Sequence, residues 1–205
     1  MENLTKDIVI LGTGGFSSEL TGLLKDCSIN IKGYISPNKQ GNHFWLGDDS
    51  ILSHYCKDNK FLIAVGDTKL RSLLTEKILK LGGKLFTFLH PDSYISKDSL
   101  ISDGCVIYPK SIINSGVKIG IGTLINSGAS IGHETEINSF CNISPNSALG
   151  GKCKIGKQVE IGIGASIIEN IQICDDIKIG AGAVVIKDIS TPKSTYVGIP
   201  AKKIY

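Results

Sequence analysis

The chain has 205 residues, 20% of them charged, and a formal net charge of +3. No long basic run exists, so no nucleic-acid partner is expected. No apolar stretch reaches the roughly eighteen residues of a membrane span, and the N-terminal MENLTKD is too polar for a secretory signal. The expectation is a cytoplasmic protein with no membrane partner.

Ile8-Val9-Ile10-Leu11 is a short buried-strand run, followed by Gly12-Thr13-Gly14-Gly15 and a helix-like stretch through about Cys27. Lys32 to Ile35 reads as a further strand ending in Ser36-Pro37. Phe61 to Val65 is a clear strand closed by Gly66-Asp67. Arg71 to Leu81 has helical spacing, with Leu70, Leu73, Leu74, Ile78 and Leu81 on one side and Gly82-Gly83 as its stop. Lys84 to Leu89 reads as another strand. Strands alternating with helices predict a small parallel α/β sheet over residues 1–90.

A glycine-rich turn from strand to helix brings backbone N–H groups towards phosphates at the positive helix end. Ser17 occupies the third glycine place of a dinucleotide fingerprint, and Ser36-Pro37 stands where a ribose-binding acid belongs. A dehydrogenase is therefore excluded. Two readings stay open: a site for a nucleotide or nucleotide-sugar phosphate, and a tight turn with no ligand.

From Ile95 onward an aliphatic residue recurs every six positions without a slip: Ile95, Ile101, Ile107 and so on through Leu149 to Val185. A helix repeats near 3.6 and a strand near 2, so neither explains the period. A strict six marks a parallel β-helix of hexapeptides, three to a coil of about eighteen residues. Four residues after each aliphatic comes a small or β-branched residue, such as Cys105, Ala129, Cys141 or Cys153, which suits a narrow interior. One residue after it, Gly, Asn or Ser fills twelve of sixteen places and is expected to supply the positive φ of the turns. Residues 91–205 form this second domain with a C-terminal tail.

The six cysteines contain no CxxC pair, and Cys105, Cys141 and Cys153 fall at the inward position, where a thiol packs as a small apolar group. His43, His54 and His90 show no ligand spacing, so no metal is expected. His133 is the lone histidine of the repeat, two residues after Ile131 and beside Glu134. It should point outward, where an imidazole can take a proton near neutral pH and a carboxylate can fix its tautomer. Taken alone, an exposed histidine beside a glutamate is ordinary surface. With Cys141 and Cys153 facing inward, direct transfer in a ternary complex is favoured over an acyl-cysteine.

Leu11-Gly12-Thr13-Gly14-Gly15-Phe16, Ile63-Ala64-Val65-Gly66-Asp67 with Arg71, Leu89-His90-Pro91, Ile131-Gly132-His133-Glu134 and the tail Val197-Gly198-Ile199-Pro200-Ala201-Lys202 together resemble the bacterial sugar acyltransferases. This family joins a Rossmann-like domain to a left-handed β-helix, and includes enzymes that finish diacetylbacillosamine nucleotide sugars or O-acetylate sialic acid. The resemblance implies left-handed coiling, acetyl-CoA as donor and a homotrimer. It implies His133 as general base and Glu134 as its orienting acid. It also implies acetyl-CoA contacts from Gly151, Ala181 and Lys202, and a nucleotide-sugar site formed by Gly12, Thr13, Gly14, Gly15, Phe16, Gly66, Asp67, Asn126 and Asn142. Asn142 stands where the bacillosamine enzyme has a second histidine, and Ser36-Pro37 where it has acidic residues near the base. The implied reaction is N-acetylation of the 4-amino group of a nucleotide-linked amino-deoxy sugar. O-acetylation of a sugar hydroxyl is the alternative, and a non-catalytic β-helix binding protein the reading from another class.

Overall fold

The computed structural model describes residues 7–39 and 44–204, which leaves His43 outside. The chain divides into two compact units, Met1–Thr87 and Phe88–Tyr205. Among the described residues no helix is long and apolar enough to cross a membrane.

The first unit is a five-stranded parallel sheet: β1 (Ile8–Leu11), β2 (Ile31–Ile35), β3 (Trp45–Gly47), β4 (Lys60–Ile63) and β5 (Lys84–Leu85), in the order β3-β2-β1-β4-β5. Helices α1 (Gly15–Asp26), α2 (Leu52–Cys56) and α3 (Thr68–Lys80) connect the strands. Every residue of β1 is buried, as a central strand covered on both faces requires. The chain runs from β1 out to β2 on one side and returns to β4 on the other. The carboxyl ends of β1 and β4 therefore flank the topological switch point, where ligands of open α/β sheets bind.

Helix α3 differs from its sequence expectation. Its buried residues are Thr68, Arg71, Thr75 and Ile78, while Leu70, Leu73 and Leu81 are exposed. The Arg71 guanidinium decides the face: Nη1 donates to the Val65 carbonyl at 2.8 Å and to that of Gly66 at 3.0 Å. Those carbonyls lie in the β4–α3 turn, and binding them from beneath outweighs the pull of a leucine stripe. The expected strand Lys84 to Leu89 is two strands. Lys84–Leu85 pairs with β4, whereas Phe88–Leu89 pairs with Val106–Ile107.

The second unit is a left-handed parallel β-helix with three faces. The first face has six strands from Tyr94–Ile95 to Val184–Val185, the second has five from Leu100–Ile101 to Gln172–Ile173, and the third has eight from Phe88–Leu89 to Lys202–Lys203. Paired residues are eighteen apart, as in Ile113 and Ile131. The repeating aliphatics point inward, and Ile113, Ile125, Ile131, Ile143 and Ile161 are fully buried with Cys105, Cys141 and Cys153 among them.

The turns overturn one expectation. Positive φ falls on the third residue after fourteen of the sixteen aliphatics, as in Glu134 (φ 57) and Lys152 (φ 58), and not on the first. The first residue is small because the next coil stacks against it. A β-carbon on Gly132 would lie 2.4 Å from the Gly150 carbonyl carbon. Close approach fixes one position of the hexad and left-handed backbone fixes another.

Candidate active site

His133 and Glu134 occupy the corner that follows the first face. The left-handed φ of Glu134 turns its carboxylate back onto the preceding ring, and Glu134 Oε1 lies 3.2 Å from His133 Nδ1. His133 points outward as expected, with 59% of its side chain exposed. One coil further along, eighteen residues on, stands Gly151. A β-carbon there would fall 2.5 Å from His133 Nε2, so the imidazole lies against the bare α-carbon of Gly151. The Gly151 N–H donates to no acceptor among the described residues.

Lys152 completes the group, with Nζ 3.8 Å from Glu134 Oε2. Sequence reasoning missed it, although the signal was present, because residues eighteen apart stack and Lys152 is one coil above Glu134. Each of these side chains is more than half exposed, so this pairing orients more than it stabilises.

The buried cysteines offer no nucleophile here. Burial pushes the Cys153 thiol up, and its Sγ donates to the Ile168 carbonyl at 3.2 Å. Cys141 Sγ donates to Gly156 O at 3.0 Å inside the coil. Among the described residues, no group of three His, Cys, Asp or Glu side chains could hold a metal ion.

The other expected residues lie elsewhere. Asn126 and Ala181 sit at the corner between the third and first faces, across the width of the first face from His133. Asn142 points outward on the third face, paired in register with Leu124 and Glu160. Within one chain they do not meet the imidazole. Lys202 belongs to the C-terminal strand Lys202–Lys203 and lines a cavity of about 430 Å³ with Ile186, Lys187, Asp188, Tyr196 and Pro200. Lys187 is three coils above His133 in the same corner column, a rise of about 14 Å.

In the first unit the glycine turn lies at the switch point. Gly12 has φ 108, and a β-carbon there would meet the Ala64 carbonyl oxygen at 2.7 Å, so only glycine fits between β1 and β4. Ser17 is buried and its Oγ donates to Gly12 O at 2.8 Å, which pins the turn. Gly14 caps α1 without a side-chain hydrogen bond, and nothing lies within 4 Å of where a β-carbon on Gly14 or Gly15 would be. The chain is thus uncrowded beside Gly14 and Gly15 at the start of α1, the place in such a fold where an anion would bind. Thr13 and Phe16 flank this opening, half-buried. Gly66 ends the neighbouring turn. Asp67 has a structural task besides any other: its Oδ1 accepts from Leu70 N at 2.7 Å and caps α3.

These features together describe an α/β domain with a glycine turn at its switch point and a left-handed hexapeptide coil that carries an exposed His133–Glu134 pair. Residues 7–78 match the PglD N-terminal domain. Perosamine N-acetyltransferase from Caulobacter crescentus, solved as a histidine-to-asparagine mutant with CoA and GDP-perosamine, superposes with a TM-score of 0.92 at 27% identity over 97% of both chains. The acetyltransferase domain of PglB from Neisseria gonorrhoeae FA1090 superposes with a TM-score of 0.91 at 27% identity, covering 97% of this chain and 100% of that one. A serine acetyltransferase of Buchnera aphidicola is 50% identical over 48 residues, which is 18% of its length, so the chain spans about a fifth of that curated relative. The chain thus carries a PglD N-terminal domain over residues 7–78 and is similar in fold, over 97% of its length, to the perosamine N-acetyltransferase and PglB acetyltransferase-domain structures.

Proposed function

We propose that the protein transfers an acetyl group from acetyl-CoA to the 4-amino group of a nucleotide-linked amino-deoxy sugar, with His133 as the base. The observation that carries this reading is the contact of His133 Nε2 with the Gly151 backbone. A thioester carbonyl that accepts a hydrogen bond from the Gly151 N–H has its carbon beside Nε2, where an attacking amine must also lie.

In this mechanism Glu134 accepts from Nδ1–H and leaves Nε2 as the acceptor. The amine nitrogen bonds to the carbonyl carbon and its proton passes to Nε2. The Gly151 N–H stabilises the oxyanion, the type of contribution that is often the largest single one. The C–S bond then breaks, and the imidazolium returns the proton to the leaving CoA thiolate.

The corner column supports a path for the donor. Pantetheine would run from Gly151 towards the cavity near Lys187 and Lys202, whose ammonium groups suit its phosphates. Gly12, Thr13, Gly14, Gly15 and Phe16, with Gly66 and Asp67, would hold the nucleotide diphosphate at the switch point.

The separation of Asn126, Asn142 and Ala181 from His133 supports a homotrimer, because a second copy can bring its own set to the corner. Charge supports the first face as the contact. Its outward column reads Tyr94, Ile112, Ser130, Ala148, Ser166 and Val184, while the second face carries Lys118, Glu136 and Lys154. In cells this chemistry, fed by acetyl-CoA, belongs to the cytoplasm.

The test is incubation with acetyl-CoA and a panel of UDP-, dTDP- and GDP-linked 4-amino sugars, following free thiol and product mass. One acetylated nucleotide sugar is expected. No turnover on the panel, with acetylation of free sialic acid, would replace this reading by O-acetylation. No binding of acetyl-CoA by calorimetry would remove the enzymatic reading.

A further inference from the structure

The corner that carries His133 continues one coil back into a cluster the acetyl transfer does not use. Ser115 lies directly beneath His133 in the eighteen-residue stack, and its carbonyl accepts from Glu134 N at 2.8 Å. Asp98 lies one further coil back. Its Oδ2 accepts from Ser115 Oγ at 2.6 Å and its Oδ1 from Ser96 Oγ at 2.6 Å. A cavity of about 470 Å³ opens at this place, lined by Tyr94, Ile95, Ser96, Lys97, Asp98 and Ser115.

The direction of those hydrogen bonds sets what the cavity can bind. An ionised carboxylate only accepts, so both serine hydrogens are committed to Asp98. The serine oxygens are left with lone pairs, and Asp98 keeps some of its own. The two hydroxyls, Ser115 first, hold the Asp98 carboxyl down at about 2, so it is charged at neutral pH. The wall is therefore rich in acceptors. Lys97 adds donors, and the Tyr94 ring, 59% exposed, adds an apolar platform. A phosphate would be repelled by Asp98. A polyhydroxyl ring fits: its O–H groups donate to the wall and its C–H face covers the tyrosine.

We propose that this cavity is the hydroxyl-reading subsite for the acceptor sugar, with Asp98 and Ser115 accepting hydrogen bonds from the ring hydroxyl next to the 4-amino group. The spacing supports it, since one coil rises about 4.8 Å, close to the width of a pyranose ring. Ser115 stands one coil beneath His133, so a sugar whose amine meets the imidazole can extend its ring down the corner towards Ser115. The inference rests on the acetyl-transfer reading and deepens it: Asp98 and Ser115 read the sugar, and His133 does the chemistry.

The experiment is steady-state kinetics of Asp98→Ala, Asp98→Asn and Ser115→Ala on the panel member the wild type acetylates, alongside its 3-deoxy analogue. Loss of a hydrogen bond to a charged group corresponds to about 10–100-fold, so the acceptor KM of Asp98→Ala should rise by about that factor. The KM for acetyl-CoA should stay unchanged, which also reports that the coil is folded. The 3-deoxy analogue should lose a similar factor with the wild type and no more with Asp98→Ala, because the pair is already broken. Additive losses, an unchanged acceptor KM, or a raised acetyl-CoA KM would overturn the subsite while leaving the transferase reading intact. If the wild type acetylates no member of the panel, the transferase reading falls and the subsite falls with it.

Discussion

The His133 imidazole rests on the α-carbon of Gly151 so closely that a single methyl group there would fall 2.5 Å from Nε2. Ring and glycine come from successive coils, so the stacking of the β-helix itself sets the position of the base. Gly151→Ala must push the imidazole off its place, and a misplacement of about 1 Å can cost roughly 10²-fold in rate. The expected result is a kcat loss near that size with the acceptor KM little changed. On a His133→Ala background the same substitution should cost almost nothing, since there is no ring left to displace. Full activity in the single variant would mean that the ring's seat on Gly151 is irrelevant to turnover.

His133→Ala should lower kcat by about 10²–10⁴-fold, the usual size of a general-base contribution. Glu134→Gln keeps a group near Nδ1 but removes the charge, so its loss should be smaller. Both can be read from initial rates of thiol release at saturating acetyl-CoA. Wild-type turnover in His133→Ala would assign the proton transfer to another group.

Much of this was legible in the sequence, and the illegible part has physical causes. A period of six leaves one geometric solution, so the coil, its inward aliphatics and the outward His133 could all be read. Handedness could not, because the spacing is the same for either hand. The turn residues were read at the wrong hexad position, since Gly and Asn signal both close approach and positive φ. Only coordinates separate Gly132, which is crowded by Gly150, from Glu134, which is twisted. In α3 the leucines suggested the buried face, but the preference of a buried guanidinium for the Val65 and Gly66 carbonyls was invisible to periodicity. Lys152 was within reach, because counting eighteen from Glu134 lands on it.

The core can be tested by contrast. Ile143 is fully buried on the inner wall, and Lys154 is an exposed residue on the second face. Ile143→Ala should lower unfolding stability by about 2–5 kcal/mol through lost burial and the cavity left behind. Lys154→Ala should change it by less than about 0.5 kcal/mol, as surface substitutions do. Chemical denaturation with unchanged m-values would confirm the pair of outcomes. A large loss for the lysine would contradict its assignment as a solvated position.

Asp98 gives a pH signature. Hydrogen bonds from Ser115 and Ser96 lower its pKa from 3.8 to about 2 in the folded chain. A depressed carboxyl stabilises the folded state above its unfolded pKa and loses that contribution as pH falls through the folded one. The window therefore runs from about pH 4 down to about pH 2, and stability should fall with acid across it. Asp98→Asn cannot titrate, so its melting temperature should fall less steeply over that window than the wild type's. Glu136, also lowered, chiefly by Lys118, contributes in the same direction in both proteins and cancels in the difference. Parallel acid profiles for wild type and Asp98→Asn would mean that the two serine hydrogen bonds are not held in solution. The acceptor-rich wall argued for the sugar subsite would then lose its basis.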